Sequence, residues 1–110
     1  IITLHHLLTH SSGLGDYMSA PETEKLLGKQ ISIDDLMKII VAQTLSFRKP
    51  GSKFRYSNSG FVVMGKIIEK IEGKPYFTVL NKRILKPAGM KNTTPMIDLK
   101  NKTFAKGYVK

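Results

Sequence analysis

Turn-forming residues constrain this chain more than any other feature of it. Breakers at Ser11-Ser12-Gly13, Pro50-Gly51, Gly73 with Pro75, and Pro87-Ala88-Gly89 cut 110 residues into four helical stretches and a tail. No apolar run in any piece approaches the roughly 18 residues that span a bilayer. No secretory leader is visible, because the first residues lack a basic patch followed by a long apolar stretch. No internal repeat of about 20–50 residues is apparent.

Residues 3–9 form a short helix capped by Thr3, with Leu4, Leu7 and Leu8 at helical spacing. Residues 14–30 have weak periodicity and contain Gly15, Pro21 and Gly28, so a long loop with one turn of helix is expected. Loops of that length are uncommon unless they serve a site. The second helix covers residues 33–44, with Ser32 as N-cap and Asp35 in the capping-box position. Its apolar stripe is Ile33, Leu36, Met37, Ile40 and Val41. The third covers residues 59–71, with Val63 or Met64, Ile67, Ile68 and Ile71 on one face and Gly73 as its stop. Pro75 opens a fourth helix, which ends before Pro87. Residues 104–109 are the one strand candidate, and a lone strand needs partners that this chain does not supply.

Apolar residues make up 41% of the chain, enough for a core. The length allows one domain or part of one. Ile1 opens the chain in place of methionine, and Lys110 closes it inside the strand candidate. Residues 1–110 are therefore expected to be a partial domain, mainly α-helical with little strand. Cysteine is absent, which excludes a disulfide framework and thiolate zinc sites and is neutral about compartment.

Charge is unevenly placed. Residues 1–47 carry three basic and five acidic side chains, a net of −2; residues 48–110 carry fifteen and three, a net of +12. Such a field attracts anions. The cations are mostly lysines scattered singly, which suits a solvated surface better than bidentate recognition. A small basic module for nucleic acid or anionic surfaces, with Phe54, Tyr56 and Tyr76 as stacking residues, is the alternative reading.

The stretch PGSKFRYSNSG at residues 50–60 leads from a turn through extended chain into a helix start. Tyr56 and Asn58 are two apart, so on extended backbone they face one side. A phenol is a poor base at neutral pH, but ammonium groups and a helix N-terminus stabilise phenolate. Such a tyrosine can move a proton to or from a hydroxyl nucleophile. Asparagine offers a donor and an acceptor for orienting an amide or a lysine. A purely structural reading stands beside this one, with Ser-Asn-Ser as an N-cap and the tyrosine packed before it.

Five stretches, in order, carry a resemblance. ITLHHLLTHSSGL at residues 2–14 resembles the segment ITLRHLLTHTSGL of the serine β-lactamase-like family. Pro50-Gly51, Phe54 and Tyr56-Ser57-Asn58 resemble its PG…F.YSN. Residues 65–76 resemble G.IIE..TGKPY. Pro87-Ala88-Gly89-Met90 with Thr93 or Thr94 resembles PLGM..T, and residues 105–108 resemble A.GY. The branch is that of class C β-lactamases, D-alanyl-D-alanine carboxypeptidases and related esterases.

The resemblance implies an α+β parent fold, an antiparallel sheet flanked by helices. It implies a serine hydrolase that forms an acyl-enzyme from a Ser-x-x-Lys serine, without metal or organic cofactor. Tyr56 is then the proton-transfer residue and Asn58 the amide that orients substrate and lysine, while Ser57 has no assigned role. Expected partners are a small-molecule or peptidoglycan-peptide substrate, not nucleic acid, with membrane association only through other parts of the parent. The expected setting is extracytoplasmic. β-Lactams, D-Ala-D-Ala peptides and esters all suit the motif, and a non-catalytic relative is a further alternative.

The family's nucleophile motif precedes these segments, and its Lys-Thr-Gly-like motif follows them, so the chain alone is expected to be inactive. Ser46-Phe47-Arg48-Lys49 matches Ser-x-x-Lys, but it sits directly before Pro50 and too close to Tyr56 to serve as the nucleophile. His6 and His10 are four apart, yet the break after His10 and the lack of a third ligand favour imidazoles bonded to backbone over a metal site.

Overall fold

A computed structural model describes residues 1–26, 29 and 31–94. The chain divides into two units, Ile1–Tyr76 and Phe77–Lys110. The first holds α1 (Leu4–Leu8), a 3-10 turn (Tyr17–Ser19), α2 (Pro21–Glu24), α3 (Ile33–Ala42) and α4 (Ser59–Glu72). α5 (Tyr76–Leu80) starts at the boundary and continues as a π-helical stretch, Asn81–Leu85. The described residues contain no strand, and the candidate at 104–109 lies outside them.

Local chemistry sets the helix ends. The Thr3 hydroxyl accepts the His6 amide at 3.3 Å, and the Thr3 amide donates to His6 Nδ1 at 3.2 Å. This is a capping box closed by a histidine. Ser32 Oγ accepts the Asp35 amide at 3.1 Å and donates to the Asp35 carboxylate at 2.6 Å. That bond, then the one from Lys38, holds the Asp35 carboxyl below its ordinary value. α3 stops at Ala42, two residues short of expectation, because Gln43 turns extended and its Nε2 donates to the Asp16 carbonyl at 3.0 Å. α4 ends where expected, at Gly73, whose amide donates to the Glu69 carbonyl at 2.9 Å.

α4 packs against both α1 and α3. At its start Gly60 lets α1 come close: a Cβ there would lie 3.1 Å from the Leu7 carbonyl oxygen. Further along, Lys66 Nζ lies 2.6 Å from Asp34 of α3 and 3.2 Å from Glu69. Leu7, Ala20 and Ile40 are buried in this unit. Leu7, Ile40, Val63 and Ile67, with Ile2 and Leu4, line an apolar groove of about 370 Å³. Val41 and Ile71, expected on the apolar stripes, are each 76% exposed. Each stripe is wider than the helix face its neighbour covers.

Two loops lie side by side under the start of α4. Ser46, Gly51 and Arg55 donate their amides to the carbonyls of Gly13, Ser11 and His10, at 2.7, 2.8 and 2.8 Å. The loop after α1 is thereby tied to the loop that carries the Tyr-x-Asn motif. It contains the single helical turn expected within residues 14–30, now α2, and the 3-10 turn besides.

In the second unit the helix does not keep α register up to Pro87. It switches after Leu80, and the Lys86 amide reaches the Asn81 carbonyl, five residues back, at 2.9 Å. Proline has no N–H for the carbonyl four residues back and its ring crowds that carbonyl, so the wider turn accommodates it. Gly89 and Met90 close the end by donating to Lys86 and Leu85 at 3.1 and 2.9 Å, a Schellman arrangement. Val79 and Leu85 are buried here. Among the described residues, no helix is long and apolar enough to cross a membrane.

Candidate active site

Tyr56 and Asn58 do meet on one side of their segment: the phenol hydroxyl donates to Asn58 Oδ1 at 3.1 Å. Tyr56 is 58% exposed, so it does not pack away as a staple before the cap. Ser57 between them is buried. Its hydroxyl donates to the Gly15 carbonyl at 3.1 Å and its amide to His10 Nδ1 at 3.3 Å. Ser57 therefore pins the segment to the loop after α1, leaving Tyr56 exposed and Asn58 half-buried beside it.

Asn58 occupies the N-cap position of α4 but its side chain makes no capping bond. It turns to Asp16 instead. Asn58 Nδ2 donates to Asp16 Oδ2 at 3.0 Å and Oδ1 at 3.3 Å, and the Asn58 amide donates to Oδ1 at 3.3 Å. Asp16 also accepts the Met18 amide at 3.2 Å, capping the 3-10 turn. Beside this clamp Ser59, 0% exposed, accepts the Tyr17 amide at 2.9 Å. Asp16 is the residue that the sequence reading missed. Its signal was an acid inside a long loop with weak periodicity, which hints at a site but names no partner.

Aromatic rings gather around His10, which lies against Tyr56. The His10 and Tyr56 ring centroids are 4.5 Å apart, and Phe54 and Phe61 lie 5.9 and 5.4 Å from His10. The histidines behave as structural groups, as expected: His6 Nδ1 and His10 Nδ1 each accept a backbone N–H. No group of three or more metal-ligating side chains occurs among the described residues. Burial raises the Tyr17 phenol above its ordinary value, with the Asp16 charge and Tyr56 adding to it. Tyr17 is thus kept neutral, which unsuits it as a base.

Ser46 is not placed like a nucleophile. It is half-buried, its amide is bound to the Gly13 carbonyl, and Arg48 and Lys49 are exposed. The string lies on irregular chain beyond Ala42, so its serine and lysine share no helix face.

Residues 1–95 match the Beta-lactamase family. The chain is 37% identical over 97 residues to penicillin-binding protein 4* of Bacillus subtilis (strain 168), covering 84% of this chain and 21% of that protein. It is 31% identical over 101 residues to esterase EstB of Burkholderia gladioli, covering 84% of this chain and 25% of the esterase. A D-stereospecific amidohydrolase from Streptomyces sp. superposes on 82% of this chain and 29% of its own, with a TM-score of 0.69 and 30% identity. The chain spans about a fifth to a quarter of the length of these curated relatives. Its helices are those of one part of the β-lactamase/transpeptidase fold. By sequence and by fold alike, the chain belongs to the Beta-lactamase family.

Proposed function

We propose that this chain carries one wall of the active site of a serine hydrolase that works through an acyl-enzyme. The observation that carries the reading is the exposed Tyr56 hydroxyl, bonded to Asn58 at 3.1 Å on a segment pinned from behind by Ser57. The relatives named above, a penicillin-binding protein, an esterase and an amidohydrolase, support it.

A serine outside this chain attacks the acyl carbonyl. Its O–H bond breaks as the C–O bond forms, and Tyr56 takes part in moving that proton to the leaving group. Asn58 orients the substrate and the motif lysine through its amide. Water then cleaves the acyl ester, and the serine regains its proton. β-Lactam, D-Ala-D-Ala peptide and ester substrates are each compatible, and no metal or organic cofactor is assigned. Peptidoglycan-peptide or small-molecule partners, without nucleic acid, fit the same reading. So does a periplasmic, envelope or secreted setting. The chain by itself is inactive in this account, because the serine and its lysine lie outside it.

The test is to treat the full-length protein with a labelled penicillin or a fluorophosphonate and map the modified residue by mass spectrometry. A modified serine ahead of Ile1, labelled more slowly in Tyr56→Phe, is the expected result. A well-folded protein that takes no label on any serine overturns the reading.

A further inference from the structure

Among the charged groups outside the assigned motif, Asp16 alone is bound to a motif side chain among the hydrogen bonds described above. We infer that Asp16 is a positioning residue that fixes which end of the Asn58 amide faces Tyr56, and through it the direction of the Tyr56 hydroxyl. The inference rests on the acyl-enzyme reading of Tyr56 and Asn58.

An ionised carboxylate only accepts hydrogen bonds, so it admits the NH₂ end of an amide and repels the carbonyl end. Asn58 Nδ2 lies between the two Asp16 oxygens, at 3.0 and 3.3 Å. Its Oδ1 is thereby turned toward Tyr56, whose hydroxyl donates to it at 3.1 Å. A phenol has one proton and lone pairs besides. With its proton directed at Asn58, the phenol oxygen keeps lone pairs that can accept a hydrogen bond from a serine hydroxyl and so align it.

Asp16 can impose this because it is itself held. Met18 and Asn58 donate backbone amides to its Oδ1 at 3.2 and 3.3 Å. Gln43, at the C-terminal end of α3, donates to its backbone carbonyl at 3.0 Å. The two backbone-amide bonds to its carboxylate are of the charge-assisted class, which is stronger than the neutral one.

Asp16→Asn leaves an oxygen for the Met18 amide but sets a second NH₂ group against Asn58. The Asn58 amide then turns over and presents Nδ2 to the Tyr56 oxygen. The acylation rate by labelled penicillin is measured in the full-length wild type, Asp16→Asn, Asn58→Ala and the double variant. Asp16→Asn is expected to slow acylation on the order of 10²-fold, the cost of a misplaced catalytic group. In the Asn58→Ala background it should add no further loss, since residues acting through one another are not additive. An equal loss in both backgrounds, or none in Asp16→Asn, overturns the inference.

A second readout needs no turnover. In asparagine-labelled protein the Asn58 side-chain amide signals should move in Asp16→Asn. In the wild type they should follow the Asp16 carboxyl through a pH titration, which serves if the variant fails to fold. Amide signals that ignore Asp16 overturn the clamp. Amide signals that follow it in a protein that takes no label retain the clamp and reject the hydrolase reading.

Discussion

The His10 imidazole lies against the Tyr56 ring, centroids 4.5 Å apart and tilted by 36°, while its Nδ1 accepts the amide of Ser57, the very next residue. One side chain therefore fixes both the ring of Tyr56 and the backbone beside it. His10 manages this from a left-handed backbone at φ 53°, a region that histidine enters more readily than most residues.

His10→Ala should accordingly loosen the motif. It leaves a part-buried Ser57 N–H without an acceptor, a cost of about 1–3 kcal/mol. It also removes a ring contact of the kind worth about 0.5–1.5 kcal/mol. His10→Phe keeps a ring against Tyr56 and loses only the acceptor, so it should fall between wild type and alanine in denaturant unfolding of the full-length protein. Equal stability in all three proteins would sink this account.

Ser59 offers a separate test of the same region. Its hydroxyl is fully enclosed and is the acceptor for the Tyr17 amide at 2.9 Å. Ser59→Ala should cost about 1–3 kcal/mol, because the amide keeps its desolvation and loses its partner. Hydrogen exchange at the Tyr17 amide should quicken in the variant. Unchanged exchange would mean that another acceptor serves Tyr17.

Much of this was legible in the sequence where the controlling forces are local. Thr3, Ser32 and Gly73 end helices through bonds to residues within four positions, and each stands where sequence spacing puts it. Tyr56 and Asn58 were legible for the same reason, since a spacing of two on extended chain brings them together. Asp16 and Asn58 are 42 positions apart, and no local pattern links them. Asn58 even misleads, because it stands at the N-cap position in sequence while its backbone is already helical and its side chain binds elsewhere. The exposed Val41 and Ile71 were unreadable for a different reason: periodicity marks an apolar face but not how much of it a neighbour covers.

Gly13 tests the pairing of the two loops. It sits at φ 83°, and a Cβ there would collide with the Phe47 carbonyl oxygen. Gly13→Ala combines backbone strain of about 1–3 kcal/mol with that collision, so the loop carrying Ser46 has to move. The expected outcome is a lower melting temperature together with slower acylation by labelled penicillin, because residues 10–16 also position Tyr56 and Asn58. A fall in melting temperature with full acylation would show that the loop pairing and the motif are uncoupled.

Ionic contacts of Asp35 and Lys66 make the stability of α3 depend on pH. Hydrogen bonds from Ser32 and then Lys38 hold Asp35 below its ordinary value of 3.8. A group whose folded-state value is depressed adds stability above its unfolded value, and the gain is lost as pH falls through the folded one. Asp35→Asn should therefore be less stable than wild type at about pH 5, with the difference shrinking as pH drops below the ordinary carboxylate range. Lys66 has the opposite sense: bonds to Asp34 and then Glu69 raise it above its ordinary value of 10.5. Its contribution is complete below that value and is lost as pH climbs through the raised one. Lys66→Met should flatten the alkaline arm of the stability profile. Denaturant midpoints across the pH range check both, and parallel profiles for all three proteins would show that neither contact matters to α3.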